Sequence, residues 1–333
     1  LGGAQGVWKS GDLGKGKSTK IMDKPRIWRR FSSMNLPSFS RIAGISLVFA
    51  THLLAAPPVI DDQAILENLQ AAMEKSVGTE GVPSADDLAK FAKTADLIKP
   101  KVPMPQPQTP GPKTDYESLS KSVYLVGTIY KCGKCDKWHM GGSATAWCIG
   151  GDGLLVTNAH VFRGAKGGSM AVADREGNCH AVTELLGIDA ASDVAVFRVK
   201  AKGLQTLRLG TSAEVGAPIT IISNPAGNHF VRTEGAVSRY VKRAPAKDKE
   251  KVTWMTVTAD YAKGSSGGPV FNETGEVVGM VSSTNSIYTE SGPGQDKMTP
   301  KGQLQMVIRN CVPADAIRAL FETEATAEKQ ASN

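Results

Sequence analysis

The chain has 333 residues, a formal charge of +7, 41% hydrophobic and 21% charged side chains and only 6% aromatics, a globular composition that excludes fibrous and wholly disordered classes. The charge is no signal for nucleic acid. Residues 1–41 hold nine Lys and Arg against Asp12 and Asp23, which is the whole excess, and the remainder carries 30 basic and 30 acidic residues. A neutral body argues against a nucleic-acid partner.

In chain order, the first pattern is Gly11-Asp12-Leu13-Gly14-Lys15-Gly16-Lys17-Ser18, which fits the phosphate-loop form G-x-x-x-x-G-K-[ST]. Such a loop needs a buried strand before it and a helix behind it. Leu1–Ser10 is no such strand and Pro25 breaks the basic stretch that follows, so no nucleotide site is assigned. Ile42–Ala56 is a mostly apolar run of 15 residues, short for a membrane span and long enough for the core of an export signal. With Met34 as the start and Ala55-Ala56 at the cleavage point, residues 34–56 are expected to be a signal peptide or an uncleaved anchor, and 1–33 an upstream, non-native extension. The expectation is an exported protein, periplasmic or secreted, that touches a membrane only if 42–56 is retained.

Two amphipathic helical patterns follow within residues 57–98. Ile65, Leu69, Ala72 and Met73 share a face behind Asp61 and Asp62, and Leu88, Phe91, Ala95 and Ile98 share another behind Ser84. The pair reads as a short accessory segment or propeptide without chemistry of its own. Six prolines between Lys99 and Pro112 predict an extended linker over 99–114 rather than a packed element. From 115 to 322 the texture changes to short β-branched runs between Gly, Asn and Asp, which predict strands. They lie at Val123–Tyr130, Ser143–Ile149, Leu154–Asn158, Ala181–Leu186, Val194–Val199, Ile219–Ser223, Val231–Tyr240, Val252–Thr258, Val277–Ser282 and Leu304–Arg309, with a closing helix over Pro313–Phe321 and a tail at 323–333. So many short strands predict an all-β domain of two packed six-stranded β-barrels with a C-terminal helix.

Three polar sites punctuate these strands. His160, in Thr157-Asn158-Ala159-His160, follows the apolar Leu154-Leu155-Val156; a histidine at a buried strand end can offer one ring nitrogen to solvent and the other to a carboxylate, as a general base requires. Asp193 opens another buried strand and could accept the Nδ1–H of that histidine. Gly264-Ser265-Ser266-Gly267-Gly268-Pro269 permits a tight turn in which the N–H groups of Gly264 and Ser266 form an oxyanion hole while Ser266 Oγ attacks a carbonyl carbon.

In the order His, Asp, Ser, 33 and 73 residues apart, these regions resemble the three signatures of trypsin-like (chymotrypsin-fold) serine proteases. Asp193-Val194-Ala195-Val196, Ser223-Asn224-Pro225-Ala226-Gly227 and Gly275-Glu276-Val277-Val278-Gly279 resemble the bacterial HtrA/Deg branch in particular. Over residues 115–322 the resemblance implies a serine endopeptidase that cleaves polypeptide substrates through an acyl-enzyme, with no cofactor and no metal, and it leaves an oligomer open. The alternative is a double-barrel protein, catalytically silent, that binds peptides or proteins.

Departures from the pattern refine the expectation. Residues 322–333 leave too little chain for the PDZ domain usual in HtrA-type proteins. Ser265 stands where trypsins activated from a zymogen carry an Asp, so activation through that ion pair is not expected. Asp260, six residues before Ser266, is the candidate substrate-binding acid for a P1 Arg or Lys; the HtrA-like alignment gives an Asp there a structural role and implies a preference for small aliphatic side chains. Asp189 is the alternative third member of the triad. Of five cysteines, Cys132 and Cys135 are expected first to form a local disulfide. A structural zinc site with His139 and either Cys148 or Cys179-His180 comes second, and a redox-active pair third.

Overall fold

The computed structural model describes residues 59–107, 113–244, 249–289 and 302–321. The expected signal peptide or anchor, the head with its phosphate-loop pattern and the tail 323–333 lie outside the described residues. Helix α1 (Asp62–Ser76) begins where Asp61 accepts the Ala64 N–H. Helix α2 (Ala85–Phe91) begins where Ser84 accepts the Asp87 N–H and returns its hydroxyl to the Asp87 carboxylate, a reciprocal N-terminal cap. A short strand β1 (Leu97–Ile98) and the single turn α3 (Tyr116–Ser120) lead into β2 (Val123–Lys131), β3 (Trp138–Gly150), β4 (Leu154–Thr157), α4 (Ala159–Arg163), β5 (Ser169–Ala173), β6 (Cys179–Asp189) and β7 (Val194–Val199). The second half runs β8 (Pro218–Ser223), β9 (Val231–Arg243), β10 (Val252–Val257), β11 (Pro269–Phe271), β12 (Val277–Tyr288), β13 (Leu304–Pro313) and α5 (Ala314–Phe321).

In the first half the strands pair in the order β6-β5-β2-β3-β4-β7, and β7 pairs back onto β6, which closes a six-stranded ring with β1 added against Ile188 and Asp189 of β6. The second half is a closed barrel in the order β10-β13-β12-β11-β8-β9. Closure of both rings satisfies strand edges that would otherwise stand open. The all-β double barrel that the sequence predicts is therefore the fold. The sequence predicts no strand at β1, β5 or β11. Strands β1 and β11 are two and three residues long, too short to display a period of their own. Strand β5 (Ser169-Met170-Ala171-Val172-Ala173) is buried on both faces and made mostly of small residues, so no alternation marks it.

Alternate residues of β2 enter different cores, as the period of a strand dictates. Val123, Leu125 and Ile129 pack with Ile65, Leu69 and Met73 of α1, whereas Tyr124 and Val126 pack with Leu88 of α2 and with Phe162 and Phe197. Covered on both faces, β2 is buried from Val123 to Ile129. Residues 101–107 form neither helix nor strand, as their prolines require, yet Val102 and Met104 lie against the first of these cores because apolar side chains alternate with the prolines. That core also takes Trp147 and Val156 from the first barrel and Phe230, Phe271 and Met280 from the second. Among the described residues no helix is long and apolar enough to cross a membrane.

Candidate active site

Strand β4 is buried along its length and ends at Thr157, whose hydroxyl donates to the Thr145 carbonyl at 2.7 Å. The one-turn helix α4 then carries His160, half exposed, to the surface. Asp193 enters β7 at φ 60°, a left-handed conformation that Asp adopts more readily than most residues. The Asn158 amide holds it there, donating to the Asp193 carbonyl at 3.0 Å.

Three donors meet the Asp193 carboxylate: the His160 backbone N–H at 3.0 Å, His160 Nδ1 at 2.9 Å and the Ser282 hydroxyl at 2.6 Å. A carboxylate facing Nδ1 fixes the ring proton on that nitrogen and leaves Nε2 as the acceptor. Burial pulls the imidazole pKa down, but the hydrogen bond and charge of Asp193 outweigh it, and His160 stands above its ordinary value. Asp189 accepts the N–H groups of Ala191 and Ser192 at 2.9 and 3.1 Å. It caps its own turn, and Asp193 is the residue that meets the imidazole.

The segment 264–268 requires glycine at two points. Gly264 and Gly267 have φ of +100° and +88°, and an added Cβ would stand 2.3 Å from the Asn224 carbonyl oxygen and 1.9 Å from that of Thr145. Thr145 clamps the loop from below: its N–H donates to the Ser266 carbonyl at 2.7 Å and its hydroxyl to the Gly264 carbonyl at 2.9 Å. The same hydroxyl accepts the Asn224 N–H at 3.1 Å, while Asn224 Oδ1 accepts the Phe230 N–H at 3.0 Å. Ser265 is fully buried and accepts the Ser223 hydroxyl at 3.0 Å, a bond between two neutral groups. Among the described residues no acceptor takes the N–H of Gly264 or Ser266.

Ser266 Oγ donates to the Ser282 carbonyl at 3.1 Å, and no hydrogen bond joins it to His160 Nε2 among the described residues. Both side chains nevertheless line one cleft of about 440 Å³, with Thr128, Tyr130, Ser143 and Ala144 of the first barrel on one side and Lys263 and Gly264 on the other. The sequence motifs bring His160, Asp193, Gly264 and Ser266 together. They do not mark Thr145 or Ser282, neutral hydroxyls inside strands that only the folded contacts single out.

Asp260 does not line this cleft. Its side chain is 79% exposed and ion-paired with Arg309, an arrangement unlike that of a buried acid awaiting a cationic substrate. At the tip of the β2–β3 hairpin, Cys132 and Cys135 are free thiols with Sγ atoms 3.4 Å apart, and Cys135 Sγ lies 3.1 Å from His139 Nε2. Cys148 and Cys179 donate to the carbonyls of Gly150 and Gly177 and do not join the group.

Residues 144–280 match the family described as the trypsin-like peptidase domain. A protein of Hahella chejuensis named probable periplasmic serine endoprotease DegP-like is 36% identical over 152 residues, covering 45% of this chain and 31% of that protein. A protein of the same name from Ectopseudomonas mendocina is 29% identical over 271 residues, covering 78% and 50%. The matched regions thus span half or less of these curated relatives. A solved structure described as an HtrA-type protease with a decapeptide aligns at 21% identity and a TM-score of 0.46, covering 61% of this chain and 64% of that one.

Proposed function

Because the chain carries a trypsin-like peptidase domain related to the DegP-like proteins, we propose that it is a serine endopeptidase in which Ser266 is the nucleophile, His160 the general base and Asp193 its orienting carboxylate. The observation that carries this reading is the pairing of His160 Nδ1 with Asp193 at 2.9 Å, with His160 lining the cleft that Ser266 also lines. The Ser266 hydroxyl leaves the Ser282 carbonyl by rotation about χ1, a change between staggered states, and passes its proton to His160 Nε2 as Oγ attacks the peptide carbonyl. The N–H groups of Gly264 and Ser266 receive the oxyanion, and Asp193 stabilises the imidazolium. Return of the proton to the departing amine leaves an acyl-enzyme, which water hydrolyses by the same route.

The substrate is a polypeptide. With Asp260 engaged by Arg309, a small aliphatic P1 residue is favoured over Arg or Lys. The periplasmic relatives and the apolar run at 42–56 support an exported protein.

The bond between Ser266 and the Ser282 carbonyl favours one second reading, a silent barrel that binds peptides without cutting them. Labelling with a serine-directed fluorophosphonate and cleavage of Val- and Arg-terminated peptides separate the two. The peptidase reading expects labelling at Ser266, faster cleavage after Val, and a loss on the order of 10⁶-fold in kcat on Ser266→Ala. An unlabelled, folded wild-type protein that still binds peptide would establish the silent barrel.

A further inference from the structure

The strongest unassigned chemistry outside the cleft stands at the tip of the β2–β3 hairpin. The ladder extends through the pairs Tyr130↔His139 and Lys131↔Trp138, so His139 is carried on the last rungs of a two-stranded arm and residues 132–137 connect its strands. Gly133 turns at φ +72° and the Lys134 N–H donates to Cys132 Sγ at 3.4 Å. Lys131, its ammonium 4.7 Å from the centre of the Trp138 ring, donates to the Asp136 carbonyl and closes the loop. These contacts return Cys135 to Cys132 beside the imidazole, with all three ligand atoms within 4.8 Å of one another.

Tetrahedral zinc, with Zn–S near 2.3 Å and Zn–N near 2.0 Å, sets its ligand atoms roughly 3.5–3.8 Å apart. The observed separations of 3.4 and 3.1 Å approach those of three corners of such a sphere. Two thiolates and an imidazole are a soft to borderline donor set, suited to zinc and unsuited to magnesium or calcium. We propose that Cys132, Cys135 and His139 form a zinc site, with the fourth position open to water. Binding exchanges two thiol protons for one Zn²⁺, so the ligand set becomes electrically neutral around the ion. The Tyr130 ring lies 5.7 Å from that of His139, and Tyr130, Gly141 and Gly142 line the catalytic cleft. The metal therefore fixes an arm that forms one wall of the cleft.

The competing chemistry is a Cys132–Cys135 disulfide, and His139 separates the two because a disulfide does not need it. The test uses the full chain, purified with its thiols reduced, titrated with Zn²⁺ alone and in parallel with Co²⁺. The expected result is one zinc per chain after gel filtration, with both hairpin thiols protected from alkylation. Co²⁺ should give the thiolate charge-transfer band and the visible absorption of a tetrahedral site. Affinity should be lost in Cys132→Ser and Cys135→Ser, and weakened in His139→Ala by at least the roughly 10- to 100-fold that loss of an outer-sphere partner costs. Ser266→Ala should bind zinc as the wild type does, so the result is independent of peptidase activity. The site is refuted by a reduced wild type that retains no zinc, by equal affinity in His139→Ala, or by recovery of the protein from an oxidising compartment as a metal-free Cys132–Cys135 disulfide.

Discussion

His160 titrates under opposing influences, burial lowering its pKa and Asp193 raising it further. Because a general base works in its neutral form, kcat/KM is expected to rise with pH through a midpoint above the ordinary imidazole value of about 6.5. Asp193→Asn removes the raising influence and leaves burial, so its midpoint should fall below that of the wild type, with a loss on the order of 10⁴ in kcat; a pH–rate profile of both proteins checks this. A pKa raised by folding stabilises most below about pH 6.5 and loses that contribution as pH rises through the folded value, so the same pair adds no stability in alkali. Thr145 is the second residue on which the site depends. Thr145→Val keeps its shape but strips partners from the Gly264 carbonyl and the Asn224 N–H, at about 1–3 kcal/mol for each buried group left unpaired. Urea denaturation should show the lost stability, and kcat should fall more than KM changes because the proposed oxyanion donors, Gly264 and Ser266, sit on the loop it clamps.

At the scale of elements, α1 is part of the core of the first barrel. Leu69 and Met73 are fully buried, Ser169 donates to the Met73 carbonyl at 2.8 Å, and the His229 N–H donates to Asp62 at 3.0 Å. Leu69→Ala is expected to cost about 2–5 kcal/mol in urea unfolding, whereas a loosely attached segment would give a value near zero. Sequence periodicity places the helix and its inward face correctly. It says nothing of the surface against which that face packs, because amphipathicity reports only that a partner exists. In the same way β12 runs beyond the apolar stretch that predicts it, to Tyr288, along an exposed arm, whereas β13 runs on past Arg309 to Pro313 along a buried one. The exposed arm of β12 is held by hydrogen bonds to β13 rather than by a buried face.

Across the whole molecule, one apolar core takes side chains from both barrels, while a second lies within the first barrel and a third within the second, so opening either barrel exposes the shared core. Unfolding is expected to be a single transition, with tryptophan fluorescence from Trp147 in the first barrel and Trp254 in the second coinciding with far-ultraviolet circular dichroism. Separate midpoints would show barrels that fold independently. The cleft depends on this union, since His160 and Asp193 come from the first barrel while Ser266 and Ser282 come from the second half of the chain.

From the sequence alone come the double barrel, its strands other than β1, β5 and β11, and the candidates His160, Gly264, Ser266 and either Asp193 or Asp189. Strand periodicity and glycine-rich turn chemistry are local properties, and the proposed nucleophile Ser266 has its glycines beside it in the chain. Tertiary structure alone decides that Asp193 and not Asp189 meets the imidazole, that Thr145 and Ser282 brace the site, that Arg309 engages Asp260, and that Ser266 Oγ rests on the Ser282 carbonyl. Apart from the Asp189 turn, each of these is a hydrogen bond or ion pair between residues far apart in the chain. Its geometry follows from how each barrel closes and how the two pack, and no local pattern of residues encodes that.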